Sequence, residues 1–491
     1  MANRKTSTFV LIICMAYAGA FSQTFHEDTL AIRAICDSNG LGGININSLY
    51  NVENDRVVSL VIGDEFIFQN CISIIPADIE RLTALRNLKI IKQKLLTKLP
   101  PEIGNLKSLD TLIIQECGLT ELPDEIGGCS ALKVLDVSYC EIDSVPSTIG
   151  DLSSLQTLIM AGNHISILPE EIGNLNSLKV LNIQRNRISA LPNNIGNLDS
   201  LIGLYCFGNI ISSLPSKIGD LSSLLTMDLS GNSLKQLPYT VGNIGSLKKL
   251  YLYGNKFDSL PSGICNLSNL ELLFIQGNRL VSLPQEIGKL SSLKKFALFS
   301  NMLDSIPSQI CNLENLQGFY IQDNNLVMLP AEFGNIDSLK KVDLSNNSLM
   351  SLPNSITNLN IPQGPSGINL CFNQDLVFTE DQQIWADALD YEEYEQKYCD
   401  TDIGEFFLKA VKYKPAFLSF SRNAVSYKVQ NPGYVQLELF DLKGKKVKTL
   451  FKGDKIAGVY TVKYNAENTG VYLIKLKVGN VVVVSKNLIL H

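Results

Sequence analysis

Prolines stand at positions 100, 123, 146, 169, 192, 215, 238, 261, 284, 307, 330 and 353, and every step between them is 23 residues. Another unit, carrying Pro76, precedes them with one extra residue in the stretch LLTKLP. A coil of this length cannot bury an apolar face by itself, so a chain built this way must stack its copies and draw its core from neighbours. The period therefore predicts a solenoid over residues 76–360 rather than a closed globule. Hydrophobic residues make up 45% and charged residues 18% of the chain, which fits a packed array and not a disordered one.

One unit, Pro238 to Leu260, reads PYTVGNIGSLKKLYLYGNKFDSL. Leu247, Leu250 and Leu252 point inward along a short strand that lies parallel to its copies in the next units. Asn255 follows the strand and recurs at 163, 186, 209, 232, 278, 301, 324 and 347, where a buried amide satisfies turn groups of its own and the adjacent coil. Cys117 and Cys140 take the same position in two early units. On the outer side Ile218, Val241, Ile264, Ile287, Ile310 and Phe333 repeat in register and close the core. The pattern L-x-x-L-x-L-x-x-N-x-[LF], set in L-P-x-x-I-G-N-L-x-S-L-x-x-L, resembles the leucine-rich repeat family, in its plant and bacterial variety with units of about 23 residues. The resemblance implies an α/β fold: a right-handed superhelix with a parallel sheet on its concave side, the side such proteins use for partners.

An open solenoid leaves both ends of its core bare and needs caps. Residues 23–75 are expected to supply the first, where DTLAIRAICDSNGL reads as a helix and RVVSLVIGD as a first strand, an arrangement that resembles the N-terminal cap of plant extracellular leucine-rich proteins. Residues 361–400 supply the second. After the strand-like INLCFNQDL, Thr379 opens a helix with Gln382 as its capping-box partner, and the helix runs on through IWADALDYEEYEQKYC with the single tryptophan, Trp385. Cys371 and Cys399 flank this helix and are the candidate disulfide; Cys36 and Cys71 flank the first cap and form a second, weaker candidate. Cys265 and Cys311 share a register two units apart, about 10 Å, which is beyond disulfide reach. They read as buried small residues, as do Cys129 and Cys206.

The ends of the chain speak to location. Residues 1–22, MANRKTSTFVLIICMAYAGAFS, place Arg4 and Lys5 before an apolar run and then small residues with A-x-A (Ala18, Ala20) or A-x-S (Ala20, Ser22) spacing. That is the form of a secretory signal peptide, too short to span a bilayer. Cys14 lacks the small residues that a lipoprotein cleavage site wants before it, and no later stretch is long and apolar enough to cross a membrane. Residues 404–491 abandon the repeat for strands of period two: VSYKVQ, VQLELFDL, VYTVKYN, GVYLIKLKV and VVVVSKNLIL, parted by NPG, DLKGK and NTG turns. A small antiparallel, immunoglobulin-like β-sandwich is the expectation. The D-x-x-G-K, A-G-x-Y and G-V-Y-x-x-x-L elements within residues 420–491 resemble the C-terminal sorting domain read by the type 9 (Por) secretion system of bacteria. That resemblance implies passage through the periplasm to the outer surface, with the secretion translocon as a partner.

Charge follows the same boundary. From Thr401 onward there are 15 Lys+Arg against 6 Asp+Glu, a local +9; of the totals of 42 and 48, 27 and 42 remain before it, a local −15. An acidic solenoid repels phosphates, so nucleic acid is not expected as a partner. Three histidines, His26, His164 and His491, are too scattered for a metal or catalytic cluster, and the recurrent Ile-Gly pairs are turn residues rather than a phosphate loop. No cofactor is implied. Acidic residues such as Glu170 and Glu171 are plentiful on the outer loops, but nothing singles out a glycosidase pair. The chain is not expected to be an enzyme.

What distinguishes the array is its concave face. In the central column stand Ile113, Asp136, Ile159, Asn182, Tyr205, Asp228, Tyr251, Phe274, Ala297, Tyr320 and Asp343; the next column holds Phe207, Ser230, Tyr253, Gln276, Phe299 and Gln322 over the same middle units. Lys249, Lys295 and Lys341 lie in the column before. Aromatic rings rimmed by Gln and Lys, confined between Tyr205 and Tyr320, have the composition of an interaction hot spot. Rings that merely stack across strands would add sheet stability without needing that confinement. Tyr205, Phe207, Lys249, Tyr251, Tyr253, Phe274, Gln276, Lys295, Phe299, Tyr320 and Gln322 are the candidate ligand-binding residues. The expected function is binding of a protein or polysaccharide by an exported, secreted or surface-displayed protein. Two rival readings are a hydrolase acting on polysaccharide and an intracellular scaffold, since the repeat also resembles plant Ras-group leucine-rich proteins.

Overall fold

The computed structural model describes residues 23–43, 45–63, 71–362 and 367–389, then the strand segments between 418 and 490. The expected leader with Cys14, residues 390–417 with Cys399, and His491 lie outside the described residues. Two compact units are present, one of Met1–Pro362 and Ser366–Trp385, the other of Gln363–Pro365 and Ala386–His491.

The first unit is the solenoid. Strand β1 (Tyr50–Glu53) pairs antiparallel with β2 (Arg56–Ile62), and from β2 onward every strand lies parallel to the next in chain order, ending at β15 (Ile368–Asn369). Most strands are three residues long, as in β10 (Lys249–Tyr251), where only Leu250 points into the core. The opposite wall is made of short 3-10 turns, one after each repeat proline. Pro238 leads into the turn Tyr239–Asn243, and Pro238 O accepts from Val241 N at 3.1 Å. Proline suits the position because its fixed φ, here −65°, is already right and no donor is wasted. Gly242 shows why I-G-N recurs: a Cβ there would lie 2.0 Å from Gly263 O in the next turn. The outer apolar residues Ile218, Val241, Ile264, Ile287, Ile310 and Phe333 are all fully buried.

The asparagine ladder is present rung by rung. Asn255 Nδ2 donates to Leu229 O (2.9 Å) in the preceding coil and to Leu252 O (3.0 Å) in its own, while Leu234 N donates to Asn255 Oδ1 (3.0 Å). The same three bonds hold for every ladder Asn from Asn163 to Asn347, and Asn373 of the cap repeats them. Cys117 and Cys140 keep the donor half, their thiols directed at Gln115 O (3.3 Å) and Ile114 O (3.5 Å). Gln93 fills the rung before them, accepting from Ile72 N at 2.8 Å, which the extra residue in LLTKLP hides in the sequence. The residue ahead of each rung is left-handed: Gly254 at φ 65°, but Arg185 and Ser300 at 56° and 55°.

Both caps form. Helix α1 (Gln23–Ser38) buries Asp28, Ala31, Ile32, Ile35 and Cys36. Asp28 is the clamp: its carboxylate takes Arg56 Nε at 2.9 Å, Arg56 Nη2 at 3.0 Å and Val57 N at 2.8 Å. The sequence reading found β2 but not its hairpin partner β1, joined by a two-residue turn with Asn54 and Asp55 at φ 50° and 58°. The Cys36–Cys71 pairing is overturned. The helix turns Cys36 into the core while Cys71 is exposed, and neither is disulfide-bonded. Cys129, Cys206 and Cys265 are buried as expected, but Cys311 is half-exposed. At the other end, helix α2 (Glu380–Ala388) begins with the expected capping box, Thr379 N to Gln382 Oε1 at 3.0 Å and Gln382 N to Thr379 Oγ1 at 3.4 Å. Gln382 Nε2 also reaches Leu352 O (3.1 Å), so this one side chain both starts the helix and closes the last coil. Cys371 is disulfide-bonded; Cys399, its expected partner, falls outside the described residues.

The second unit holds two antiparallel sheets. One contains β16 (Leu418–Ser421), β17 (Ala424–Val429) and β20 (Gly458–Lys463); the other runs in the order β19 (Lys446–Lys455), β18 (Gly433–Phe440), β21 (Gly470–Val478), β22 (Val481–Leu490). All five strands read from the sequence are there. β16 and β19 are additional, the latter in the lysine-rich KVKTLFKGDK. On β18, Val435 and Leu437 are fully buried while Tyr434 is exposed, the alternation of a half-buried strand.

Candidate functional site

The middle of the solenoid sheet is built from β8 (Gly203–Tyr205), β9 (Thr226–Asp228), β10, β11 (Leu272–Phe274), β12 (Lys295–Ala297), β13 (Gly318–Tyr320) and β14 (Lys341–Asp343). In each, the middle residue is core: Leu204, Met227, Leu250, Leu273, Phe296, Phe319 and Val342 are all 0% or 1% exposed. Strand alternation then sends the flanking residues to the opposite face. Register places Tyr205, Asp228, Tyr251, Phe274, Ala297, Tyr320 and Asp343 side by side in one row. The next row, two residues further along, carries Phe207, Ser230, Tyr253, Gln276, Phe299 and Gln322, alternating with the buried Cys206, Leu229, Leu252, Ile275, Leu298 and Ile321. The candidate residues named from the sequence are thus brought together on one face.

They do not stand up from it. The rings are half-buried, with Tyr320 only 9% and Gln322 only 7% exposed. Glycines make room for them. A Cβ on Gly203 would lie 2.8 Å from the Tyr205 ring, and one on Gly318 would lie 3.0 Å from the Tyr320 ring. Each tyrosine therefore folds back over the glycine two residues before it. Tyr251 and Phe274 meet edge to face at 5.4 Å, and Phe207 and Tyr253 meet at 6.2 Å across the fully buried Ser230. Burial raises the phenols of Tyr251 and Tyr253, and the nearby Asp228 adds to both. Tyr320 is raised the same way, by burial and by Asp343.

Three aspartates of the central row share a D-x-S pattern, and they differ in one respect. Asp136 accepts from Gln115 Nε2 (2.7 Å) on one oxygen and from Ser138 N (3.0 Å) on the other. Asp343, 2% exposed, accepts from Ser345 N (3.1 Å), from Ser345 Oγ (2.6 Å) and from the Asn369 side chain. Asp228 accepts Ser230 N (3.0 Å) and Ser230 Oγ on Oδ1 alone, and among the described residues neither a donor nor a cation reaches its other oxygen. Burial pushes the Asp228 and Asp343 carboxyls above the ordinary carboxylate range. Only Asp228 has tyrosines on both neighbouring strands, Tyr205 and Tyr251.

The second row adds two more open acceptors. Among the described residues, three buried side-chain polar atoms have no hydrogen-bond partner, and two of them are Gln276 Oε1 and Gln322 Oε1. A folded chain rarely leaves such groups empty. The adjoining lysines are arranged differently. Glu271 ties Lys248 (3.5 Å) to Lys294 (2.7 Å) along the edge of the face, while Lys249 is exposed and pairs with no carboxylate among the described residues. Among the described residues no group of His, Cys, Asp or Glu is placed to hold a metal ion. The face is thus an aromatic floor set with acceptors, suited to a ligand that brings donors. Asp228, Ser230, Gly203 and Gly318 were missing from the sequence-derived set. The G-x-Y spacing of Gly203–Tyr205 and Gly318–Tyr320 is the signal that marks the low-lying rings.

Comparisons with known proteins agree with the coil architecture. A family model described as leucine-rich repeat region matches residues 56–162 and 129–211, and one described as Leucine Rich Repeat matches 246–267 and 338–359. A solved leucine-rich repeat protein of Leptospira interrogans is 28% identical, with a TM-score of 0.59, over 70% of this chain and 92% of that one. The PEPR1–AtPEP1 structure is 25% identical with a TM-score of 0.54 over 72% of this chain, which spans 55% of that one. An internalin of Listeria monocytogenes, 22% identical with a TM-score of 0.50 over 68% of this chain and 94% of that one, shares the fold. No curated protein matches the chain.

Proposed function

Because the chain is a leucine-rich repeat protein, we propose that it acts by binding, without turnover, and takes a protein partner on the sheet face between Tyr205 and Gln322. The observation that carries this is the coincidence of aromatic rings and unpartnered buried acceptors in the same middle units. Ring stacking for stability accounts for the first but not the second, because empty buried carbonyls cost stability unless a ligand fills them. The PEPR1–AtPEP1 structure lends support, as a related coil solved together with a second named component.

Location belongs to the same proposal. The first 22 residues act as a leader, and the second unit closes as a β-sandwich whose residues 420–491 direct the protein through the outer membrane. The protein then works in the medium or at the cell surface.

The test of the face is a surface-protein pull-down and a glycan array, comparing the wild type with Tyr251→Ala/Tyr253→Ala. Loss of affinity of tenfold or more is expected, since each ring is a hot-spot anchor. A double variant that retains every ligand of the wild type removes the proposal, and product release from a bound glycan would favour a hydrolase instead. For location, a chain ending before residue 420 should remain in the periplasm on fractionation.

A further inference from the structure

We propose that Asp228, between Tyr205 and Tyr251, is the anchor of a cation subsite, and that the partner presents a basic side chain, arginine above all, from an extended segment crossing the strands. The inference rests on the reading that this face binds a protein, and it names the chemistry of that protein's contact.

The three D-x-S aspartates act as their own controls. Asp136 and Asp343 have both carboxylate oxygens occupied, or are so deeply enclosed that the group is part of the sheet. Asp228 has the same serine partner on the same oxygen, yet keeps one oxygen free beside two phenol rings. A half-buried carboxylate without a counter-charge is a cost to the free protein, and such costs persist at places where a ligand supplies what is missing. A guanidinium meets both features together: it donates to a carboxylate through paired N–H groups and lies well against aromatic rings. Tyr253 and Phe274, packed against Phe207 and Tyr251, extend the floor on which its stem would rest.

The rest of the face fits an extended chain. Gln276 lies two strands from Asp228 and Gln322 four, which is about 10 Å and 19 Å along the array. An extended segment advances about 3.3 Å per residue, so these carbonyls fall near the third and sixth residues beyond the basic one. There, backbone N–H groups would satisfy Gln276 Oε1 and Gln322 Oε1. Long-range charge points the same way. Residues before Thr401 hold 27 Lys+Arg against 42 Asp+Glu, a field that draws a basic partner in. Lys249 forms no ion pair with Asp228 and does not occupy its free oxygen.

The experiment titrates the full chain with three capped peptides of equal length, built of glycine and serine around one arginine, one citrulline or one glutamate. Citrulline keeps the shape and removes the charge. The arginine peptide should bind at least tenfold tighter than the other two, and Asp228→Asn should erase that margin. Asp343→Asn, the same change in the same motif, should leave it intact. Asn182 already fills this row and accepts from Gln184 N at 3.1 Å, so an amide at 228 is compatible with the fold, and a thermal midpoint no lower than that of the wild type would verify it. Equal binding of all three peptides, preference for glutamate, or an Asp228→Asn protein that still prefers arginine overturns the cation subsite. If Asp228→Asn still captures the surface partners that Tyr251→Ala/Tyr253→Ala loses, the face stands and only its cation chemistry falls.

Discussion

Asp228 and Asn255 sit 27 positions apart in adjacent coils and illustrate opposite uses of a polar side chain. Asn255 spends its whole amide on three backbone groups, so Asn255→Ala strands Leu234 N, Leu229 O and Leu252 O in the core. A loss of about 3 kcal/mol in urea unfolding is expected. Asp228 spends half of its carboxylate, and burial has raised its pKa. The folded state therefore holds the proton more tightly than the unfolded chain, and Asp228 lowers stability progressively as pH rises from about 4 through the raised value. Tyr251 and Tyr253, whose phenols burial and Asp228 raise, stay neutral across that window. Asp228→Asn should thus melt above the wild type at pH 7, and the two should converge below about pH 4. A wild type that melts higher at pH 7 would show the carboxylate to be structural. Asn255 was legible because it recurs at a fixed place. Asp228 was visible as a letter in a column, but its free oxygen depends on which donors lie near, and no sequence spacing reports that.

At the level of strands and turns, the glycines before the tyrosines set how high the rings ride. Gly203→Ala and Gly318→Ala each put a methyl against the far end of a side chain that can swing away, so stability should change by less than about 1 kcal/mol. Partner affinity should fall several-fold, because the ring is pushed off its bed; equal affinity would mean that ring height is irrelevant. The N-terminal clamp behaves otherwise. Asp28→Ala leaves Arg56 and Val57 N without their acceptor in a buried seam, and a loss near 3 kcal/mol by urea unfolding is expected. The helices and most strands could be placed in advance because Thr379 with Gln382, and the leucines of each coil, are local signals. Strand β19 was missed because Lys446, Lys448, Lys452 and Lys455 crowd it and few apolar residues mark an inner side. The failed Cys36–Cys71 pairing has a similar cause, since closeness in sequence to one cap says nothing about which way each side chain turns.

At the scale of the molecule, a solenoid is as stable as its units and the seams between them, and its ends fray first. Gln382 joins the last coil to α2 through Leu352 O and Pro353 O. Gln382→Ala should therefore lose amide-exchange protection first around residues 344–352 while the middle coils keep theirs; uniform loss would show that the array unfolds as one body. The 23-residue period made this architecture readable at once, and the aromatic column of its middle third with it, whereas which acceptors there stay unpartnered had to wait for burial and hydrogen bonding. The ladder has a further consequence. Between coils each rung bonds only backward, to groups 21 and 26 positions earlier, so a duplicated coil inserted by an uneven genetic exchange would find the same partners as its parent. The number of coils is then nearly free to drift outside the stretch from Tyr205 to Gln322. Within it, one added coil would move Asp228 and the glutamines apart by a strand's width, and the ruler that measures the partner would be recut.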